Sequence, residues 1–413
     1  MFMLKSLIHG KLKIRSTHIL AVFFLSYIVY VGLSPLPQFA ENTKKIFQGQ
    51  LSPRQYIQET DEFYSTMLET KAELPLFQNK GTYINLNGFM ANCFHQPEMN
   101  NRIKLKNNHL ATAKSENPDP ETIRQAADNI IRFHDTHVSN GGNFLFVMVP
   151  SQISKFEDLL PVGFTDTTND TADMFLSMLK QSGVPFLDLR EELQKDGISI
   201  TDAYFATDHH WTPQTGFWAY TRILDKLKEM HVIPSVDSFY TDPQNYTFDI
   251  YPKTFLGSSG RRTGIYYAGL DDTVILQPDF ETDLSIHIPK RNMKLQGRYE
   301  DISYNTDVTL NYQNPDFYQD NFYGLYGWGD TPITHWRNAQ APEQGKFLLI
   351  GESFGNIPFS LMSIYFSNCD EVDMRHFTDD FTSYYSSYNP DTVIVEVNIS
   401  AILSAFTQFP YLG

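Results

Sequence analysis

The chain has 413 residues, 41% of them apolar and 14% aromatic, enough for one large domain plus an anchor or for two ordinary domains, with no disordered or low-complexity stretch. Its formal charge is −16, and because Lys5, Lys11, Lys13 and Arg15 all precede the first acid, Glu41, the remainder is more acidic still. Such a surface argues against nucleic acid and an anionic lipid face as partners, since phosphate binding needs clustered Lys and Arg, and leaves a neutral or cationic partner or a small acyl group compatible.

From Ser16 to Ala40 there is no charged residue, and Ile19 to Leu33 is apolar except for Ser26 and Gly32. With basic residues before it and an acidic domain after it, the pattern predicts a cytoplasmic tail over 1–16, a transmembrane signal anchor over 17–36 and an extracytoplasmic C-terminal domain, a single-pass protein of the cell membrane held by its own N-terminal helix. Cleavage as a signal peptide is the competing reading, but Gln38-Phe39-Ala40 is a poor small-x-small site. Residues 37–80 read as a Pro-containing tether followed by a stalk helix, with helical spacing over 53–73. Tyr83 to Ala91 alternates around Asn87-Gly88 and predicts a β-hairpin. Cys93 and Cys369 have no zinc-type spacing, and whether they pair is open.

A clear α/β pattern begins near residue 119. Asp119 caps, Pro120 takes the first helical position, and Ile123, Ala127, Ile130, Phe133 and Val138 share a face up to the Asn140-Gly141-Gly142 stop. Phe144 to Val149 is a wholly apolar strand, as expected of a parallel strand covered on both faces. Helix 172–180, strand 184–189 and a Thr212-capped helix 213–230 follow. Between about 237 and 335 the texture turns to Tyr, Asn, Asp, Pro and Gly with short alternating runs at 273–276 and 284–288, a β-rich insertion. Strand 346–350, helix 358–367, strand 371–376, helix 379–387 and strand 392–397 complete the pattern. Residues 81–413 therefore predict one three-layer α/β/α domain with a parallel sheet, because each crossover needs a covering helix.

Two segments carry chemistry. Gly351-Glu-Ser-Phe-Gly355 sits where an apolar strand meets a helix, a turn that exposes a serine hydroxyl and frees backbone N–H groups for a developing oxyanion, at the sheet's carboxyl edge where open α/β folds place their sites. Thr207-Asp-His-His-Trp-Thr212 precedes a helix; in an extended segment Asp208 and His210 project to one side, so the carboxylate can fix the imidazole tautomer, while His209 faces away. A simple strand-to-helix turn and surface histidines are the bland alternatives. A metal site would want more ligands than Asp202 nearby, and a phosphoesterase of the Asp-His-His type needs acidic motifs upstream.

Thr207-Asp-His-His-Trp-Thr212, Gly257-Ser-Ser-Gly-Arg-Arg-Thr-Gly264 with Tyr266-Tyr-Ala-Gly-Leu-Asp-Asp272, and Gly351-Glu-Ser-Phe354 with Asp373-Met-Arg-His-Phe377 together resemble the DHHW family of bacterial exported proteins, which is similar to the SGNH-hydrolase-like X and J proteins of alginate O-acetylation. The resemblance runs from about residue 80 to the C-terminus. It implies an SGNH-hydrolase-like fold, a triad of Ser353 as nucleophile, His210 as base and Asp208 as orienter, no metal and no cofactor. It also implies transfer or removal of acetyl groups on a cell-envelope or secreted polysaccharide, with a multispanning membrane acyltransferase as the acetyl donor's carrier. Glu352 stands where the family turn usually has Asp, Glu396-Val397-Asn398 lacks the arginine of a frequent Glu-Arg-Asn, and Asn87-Gly-Phe-Met-Ala91 follows the family's hairpin only partly.

Candidate substrate contacts are Arg261 and Arg262 after the Gly-Ser-Ser-Gly loop, which could instead brace the insertion through Asp271, then Lys155 past a strand end, Asn398 at the last strand's end, and Tyr326 in an aromatic stretch with Tyr323 and Trp328. Arg375 reads equally well as structural. The sequence leaves two functions open: an acetyl-ester enzyme, or a catalytically silent polysaccharide-binding or scaffolding component of an export complex, in which Ser353, His210 and Asp208 would not meet.

Overall fold

The computed structural model describes residues 25–26, 80–308 and 312–405. The chain divides into two units, Met1–Ile84 and Asn85–Gly413, and the second holds the architecture described here. Among the described residues no helix is long and apolar enough to cross a membrane; the expected anchor at 17–36, the basic tail and the stalk lie outside them.

The expected hairpin at 83–91 is instead a helix, α1 (Lys80–Cys93). Gly88 serves packing rather than a turn: a Cβ there would stand 2.2 Å from the Thr263 carbonyl oxygen. Tertiary contact has overridden the local Asn-Gly signal. A three-stranded ribbon follows, β1 (Glu98–Met99), β2 (Arg102–Lys104) and β3 (Leu110–Ala111).

The predicted α/β pattern is present. α2 (Pro120–Ser139) is capped by the Asp119 side chain, and β4 (Asn143–Val149), α3 (Thr168–Gln181), β5 (Phe186–Asp188) and the Thr212-capped α4 (Pro213–Glu229) follow. Next come β6 (Tyr246–Phe255), β7 (Asp271–Pro278), β8 (Leu284–Ile288), β9 (Met293–Gly297), β10 (Ile333–Asn338) and β11 (Glu343–Gly351). The chain continues with α5 (Asn356–Tyr365), β12 (Phe366–Asp373), α6 (Phe381–Tyr388), β13 (Thr392–Asn398) and α7 (Ile399–Ala405).

The main sheet has eight strands in the order β5-β4-β13-β11-β12-β10-β8-β9. Its first five strands are mutually parallel, while β10, β8 and β9 are antiparallel. The expectation of an all-parallel sheet with a separate insertion is thereby corrected: three strands of the 237–335 segment extend the sheet, and only β6 and β7 form a ribbon of their own. β8 and β9 are joined through the short turn Pro289–Arg291 and Asn292, and consecutive strands that return through so short a turn can only pair antiparallel.

Alternation along the buried strands builds the two sides of the core. On β4, Leu145, Val147 and Val149 face α4 and α5, whereas Phe144, Phe146 and Met148 face the layer of α2, α3, α6 and α7. Strand β11 divides in the same way, Phe347 and Leu349 to one side and Leu348 and Ile350 to the other. This is the three-layer arrangement that apolar parallel strands require. Cys93 is exposed and Cys369 buried, and they do not pair.

Candidate active site

The two motifs meet because the helices that follow them pack together. α4 begins two residues after Trp211 and α5 begins just after Gly355, and Gly216 in the first turn of α4 lies against Ile357 in the first turn of α5. Their starts therefore lie side by side at the carboxyl edge of the parallel strands. His210 Nε2 lies 2.7 Å from Ser353 Oγ, and His210 Nδ1 lies 2.5 Å from Asp208 Oδ1.

Asp208 is held from three sides. Its Oδ2 accepts the Ser258 backbone N–H at 2.5 Å, its Oδ1 accepts the His210 backbone N–H at 3.1 Å, and its carbonyl oxygen accepts from the Gln152 amide at 2.6 Å. Burial alone would push this carboxyl up; the charge and hydrogen bond of His210, then His209 and the Ser258 N–H, outweigh it and hold Asp208 well below the usual carboxylate range. A permanently ionised Asp208 is what an orienting carboxylate needs, because it favours a proton on the facing nitrogen and leaves Nε2 free to accept one.

The 204–211 loop is closed by a bridge between Tyr204 and Trp211 and anchored by Asp271, whose carboxylate accepts from the Ala206 and Thr207 backbone N–H groups and the Thr207 hydroxyl. Thr207 in turn accepts the Gly257 N–H at 2.8 Å. Aromatic rings clamp the imidazole. Tyr323 stacks flat on His210, with centroids 3.7 Å apart and planes 6° apart, and Phe354 lies edge-on to Trp211 and 5.1 Å from His210. His209 does not face away as expected: residues 206–210 bend rather than extend, so its ring lies 3.8 Å from the His210 ring, with Nδ1 2.8 Å from Ser258 Oγ.

Glu352 supports the serine turn by reaching the Asn398 backbone N–H at 2.9 Å and lying 3.7 Å from Arg375. Arg375 is itself gripped by Asp373, at 2.6 Å, so its part is structural. At the end of β13, Glu396 is fully buried, and neither of its carboxyl oxygens has a hydrogen-bond partner among the described residues. Burial first, then the neighbouring Glu352 and Glu371, push Glu396 well above the carboxylate range, and burial pushes Glu371 up to about 8.

A carboxyl whose folded pKa is raised binds its proton more tightly folded than unfolded, so stability falls as pH rises from about 4.3 through the folded value. Thermal unfolding is thus expected to show a melting temperature that declines between about pH 5 and about pH 9, and a shallower decline in Glu396→Gln. An equal decline in the variant would assign the slope to other groups.

The proposed substrate contacts fare differently. Lys155 is held by Asp173 at 3.0 Å and Glu191 at 2.9 Å, an ion-pair network shared with Arg190. Asn398 spends its side chain accepting the N–H groups of Ser400 and Ala401, capping α7. Tyr326 is corrected to a core residue: it is buried, with its hydroxyl bonded to the Val274 carbonyl and the Leu276 N–H of β7. Trp328 is buried too and donates to the Ile302 carbonyl at 2.7 Å. Arg261 donates to the Asp320 carbonyl oxygen at 3.1 Å, and Arg262 is exposed. Neither uses Asp271, which serves the histidine loop instead.

The Gly257-Ser-Ser-Gly loop that precedes these arginines had no role of its own in the sequence reading, and the structure gives it one: it holds Asp208. A Cβ on Gly257 would lie 2.3 Å from the Asp208 Cβ and 2.6 Å from Oδ2. Gly257→Ala is therefore expected to shift Asp208 and to lower kcat on a small acetyl ester by about 10²-fold, since an error near 1 Å in a reacting geometry costs that much. Steady-state kinetics beside a thermal melt would check this, and unchanged kcat in a folded variant would count against it.

Fold and site together define the class: a three-layer α/β/α protein with a Ser–His–Asp hydrogen-bond chain at the carboxyl edge of its parallel strands. Residues 108–246, which include Asp208 and His210, match the model of the SGNH hydrolase-like domain of the acetyltransferase AlgX. Bacillus cereus PatB1 has a similar fold, at 19% identity and a TM-score of 0.60, over 73% of this chain and 97% of its own, and its structure with a sulfonyl adduct is similar at 18% and 0.59 over the same shares. A DHHW family protein from Eubacterium siraeum is similar at 15% identity and a TM-score of 0.53, over 76% of this chain and 97% of its own. No curated protein matches the chain in sequence.

Proposed function

We propose that the protein is a serine-dependent O-acetyltransferase or esterase that acts outside the membrane, on an N-terminal anchor, upon acetyl esters of a cell-envelope or secreted polysaccharide. The observation that carries this reading is the continuous chain from Asp208 through His210 to Ser353 at 2.5 and 2.7 Å. The match to an acetyltransferase domain model over 108–246 supports acetyl as the group moved. Sulfonyl reagents capture activated hydroxyls, so the PatB1 adduct accords with a nucleophile on this fold. The silent-scaffold alternative predicts that the three residues lie apart, so their proximity supports the enzyme reading over it.

In the proposed reaction His210 Nε2 takes the Ser353 proton as Oγ attacks the acetyl carbonyl. At the start of the helical turn Ser353–Gly355 the N–H groups of Ser353 and Phe354 are the oxyanion donors in this reading, since the Gly355 N–H is taken by the Glu352 carbonyl at 2.8 Å. Collapse expels the donor's oxygen, which receives the proton from His210, and leaves acetyl-Ser353. A sugar hydroxyl or water then gives its proton to His210 as it attacks the acetyl carbonyl, and collapse breaks the bond to Oγ while His210 returns that proton to Ser353. The sugar acceptor makes the enzyme a transferase, and water makes it an esterase. A multispanning membrane acyltransferase would supply the acetyl group from across the bilayer.

The test is to quench the full-length protein in acid during turnover of p-nitrophenyl acetate and map its peptides by mass spectrometry. The peptide containing Ser353 is expected to gain one acetyl group, and the same peptide from His210→Ala is expected to stay unmodified. Acetylation at some other residue, or at none while the nitrophenol is released, would sink the acetyl-serine mechanism.

A further inference from the structure

The antiparallel extension of the sheet carries a groove of about 550 Å³ lined by Ser285, His287, Lys294, Gln296, His335 and Arg337. Register explains it. Lys294, His287, His335 and Asp370 stand directly opposite one another across β9, β8, β10 and β12, and Gln296, Ser285, Arg337 and Asn368 form the adjacent row. The other face of these strands buries Leu284, Ile286, Ile288 and Trp336 in the core. Helix α6 covers the β12 end of the ladder, where Tyr384 donates to Asp370 at 2.6 Å, and among the described residues the extension beyond it is open.

The ladder is unusual in its charge. In a chain of net charge −16 it sets His287 opposite both Lys294 and His335, with Arg337 on the diagonal, so a proton on His287 meets like charge directly opposite, which destabilises a sheet that has no anion beside it. The carboxylate facing this row, Asp370, is already taken by Arg337 at 2.6 Å and His335 at 2.8 Å. Asp283 borders the groove and accepts from Gln296 at 3.2 Å. His287 and Lys294 have no carboxylate partner among the described residues. The side chains packed round His287, then the charges of Lys294, His335 and Arg337, lower its pKa.

We infer that this ladder is a second binding site, for a segment of a carboxylate-bearing polysaccharide. The inference rests on the polysaccharide reading above and names the polymer's charge. The cationic groups recur at the interstrand spacing of about 4.8 Å, close to the length of one sugar ring, so successive acidic sugars can meet successive strands. The acidic remainder of the surface confines the attraction to the groove. A bound carboxylate favours protonated His287, so binding takes up a proton and tightens as pH falls. Held here, a long polymer stays on the enzyme between acetyl transfers.

Fluorescence anisotropy of labelled heptagalacturonate with the full-length protein tests this. The acidic heptamer is expected to bind at about pH 5.5 and several-fold more weakly at about pH 8, while maltoheptaose does not compete. His287→Gln with Lys294→Gln, both on the solvent face, is expected to weaken binding about tenfold or more, while Ser353→Ala binds as the wild type does. Heptamer affinity unchanged in the double variant would overturn the inference, as would equal binding of maltoheptaose. Polyphosphate of matched charge binding as tightly, with the same loss in the double variant, would overturn the assignment to a carboxylated glycan. Release of p-nitrophenol by the double variant should remain at the wild-type level, and a failure of the serine chemistry in every protein, beside an intact heptamer response, would remove the proposed reaction without touching this site.

Discussion

Alanine at Ser353 is expected to lower turnover of p-nitrophenyl acetate by about 10⁴-fold or more, and alanine at His210 to lower it by a similar factor. The two are one device: the 2.7 Å contact between Nε2 and Oγ is the route by which the hydroxyl loses its proton, so removing either end removes the activated nucleophile. The Ser353→Ala, His210→Ala double variant is therefore expected to be no slower than either single variant, since groups acting as a unit are far from additive. Neither change should unfold the protein, because Tyr323, Phe354 and Trp211 pack the site without the serine hydroxyl. Steady-state rates on the full-length protein with a circular-dichroism check decide it. If folded variants hydrolyse the ester as fast as the wild type, Ser353 is not the nucleophile.

Asp208→Asn is expected to lower kcat by about 10⁴-fold in a protein that still folds, the loss that follows when a triad imidazole is held in the wrong tautomer. The geometry supplies the reason. An asparagine here has one oxygen for two backbone donors, the Ser258 N–H at 2.5 Å and the His210 N–H at 3.1 Å. Satisfying the shorter bond turns the amide NH₂ toward His210 Nδ1, and Nδ1 must then accept. The proton moves to Nε2, which can no longer receive one from Ser353. Kinetics of the variant, with imidazole proton signals observed by NMR, test both halves, and a folded Asp208→Asn protein of near wild-type rate would exclude Asp208 as the orienting carboxylate.

Much of the fold was legible because it is written in local periodicity. The Asp119-capped helix, the apolar strands at 144–149 and 392–397 and the Thr212-capped helix appear within a few residues of their expected places. Each signal there is strong and short-range. The failures share a physical form, in which a distant contact overrules a local preference. Asn87-Gly88 looks like a hairpin turn until Gly88 has to fit under the Thr263 carbonyl. Tyr326 and Trp328 read as sugar platforms, yet their polar atoms find backbone partners on β7 and at Ile302, and burial follows. Lys155 and Asn398 look free in sequence because the acids and N–H groups that occupy them lie elsewhere in the chain or one turn on.

What the sequence by itself determined is the chemistry available: an acid and an imidazole two residues apart, a serine at a strand-to-helix turn, and the alternating and apolar runs that demand a covered sheet. Those depend on residue type and spacing alone. Only the tertiary structure decided that the parts meet, because His210 and Ser353 are 143 residues apart and come within 2.7 Å through the packing of two helix starts. It also decided that the Gly-Ser-Ser-Gly loop closes on Asp208, that Tyr323 clamps the imidazole, and that β8, β9 and β10 extend the main sheet and lay His287, Lys294, His335 and Arg337 across one face of it. Register and helix packing are properties of several segments at once, and no single stretch of chain contains them.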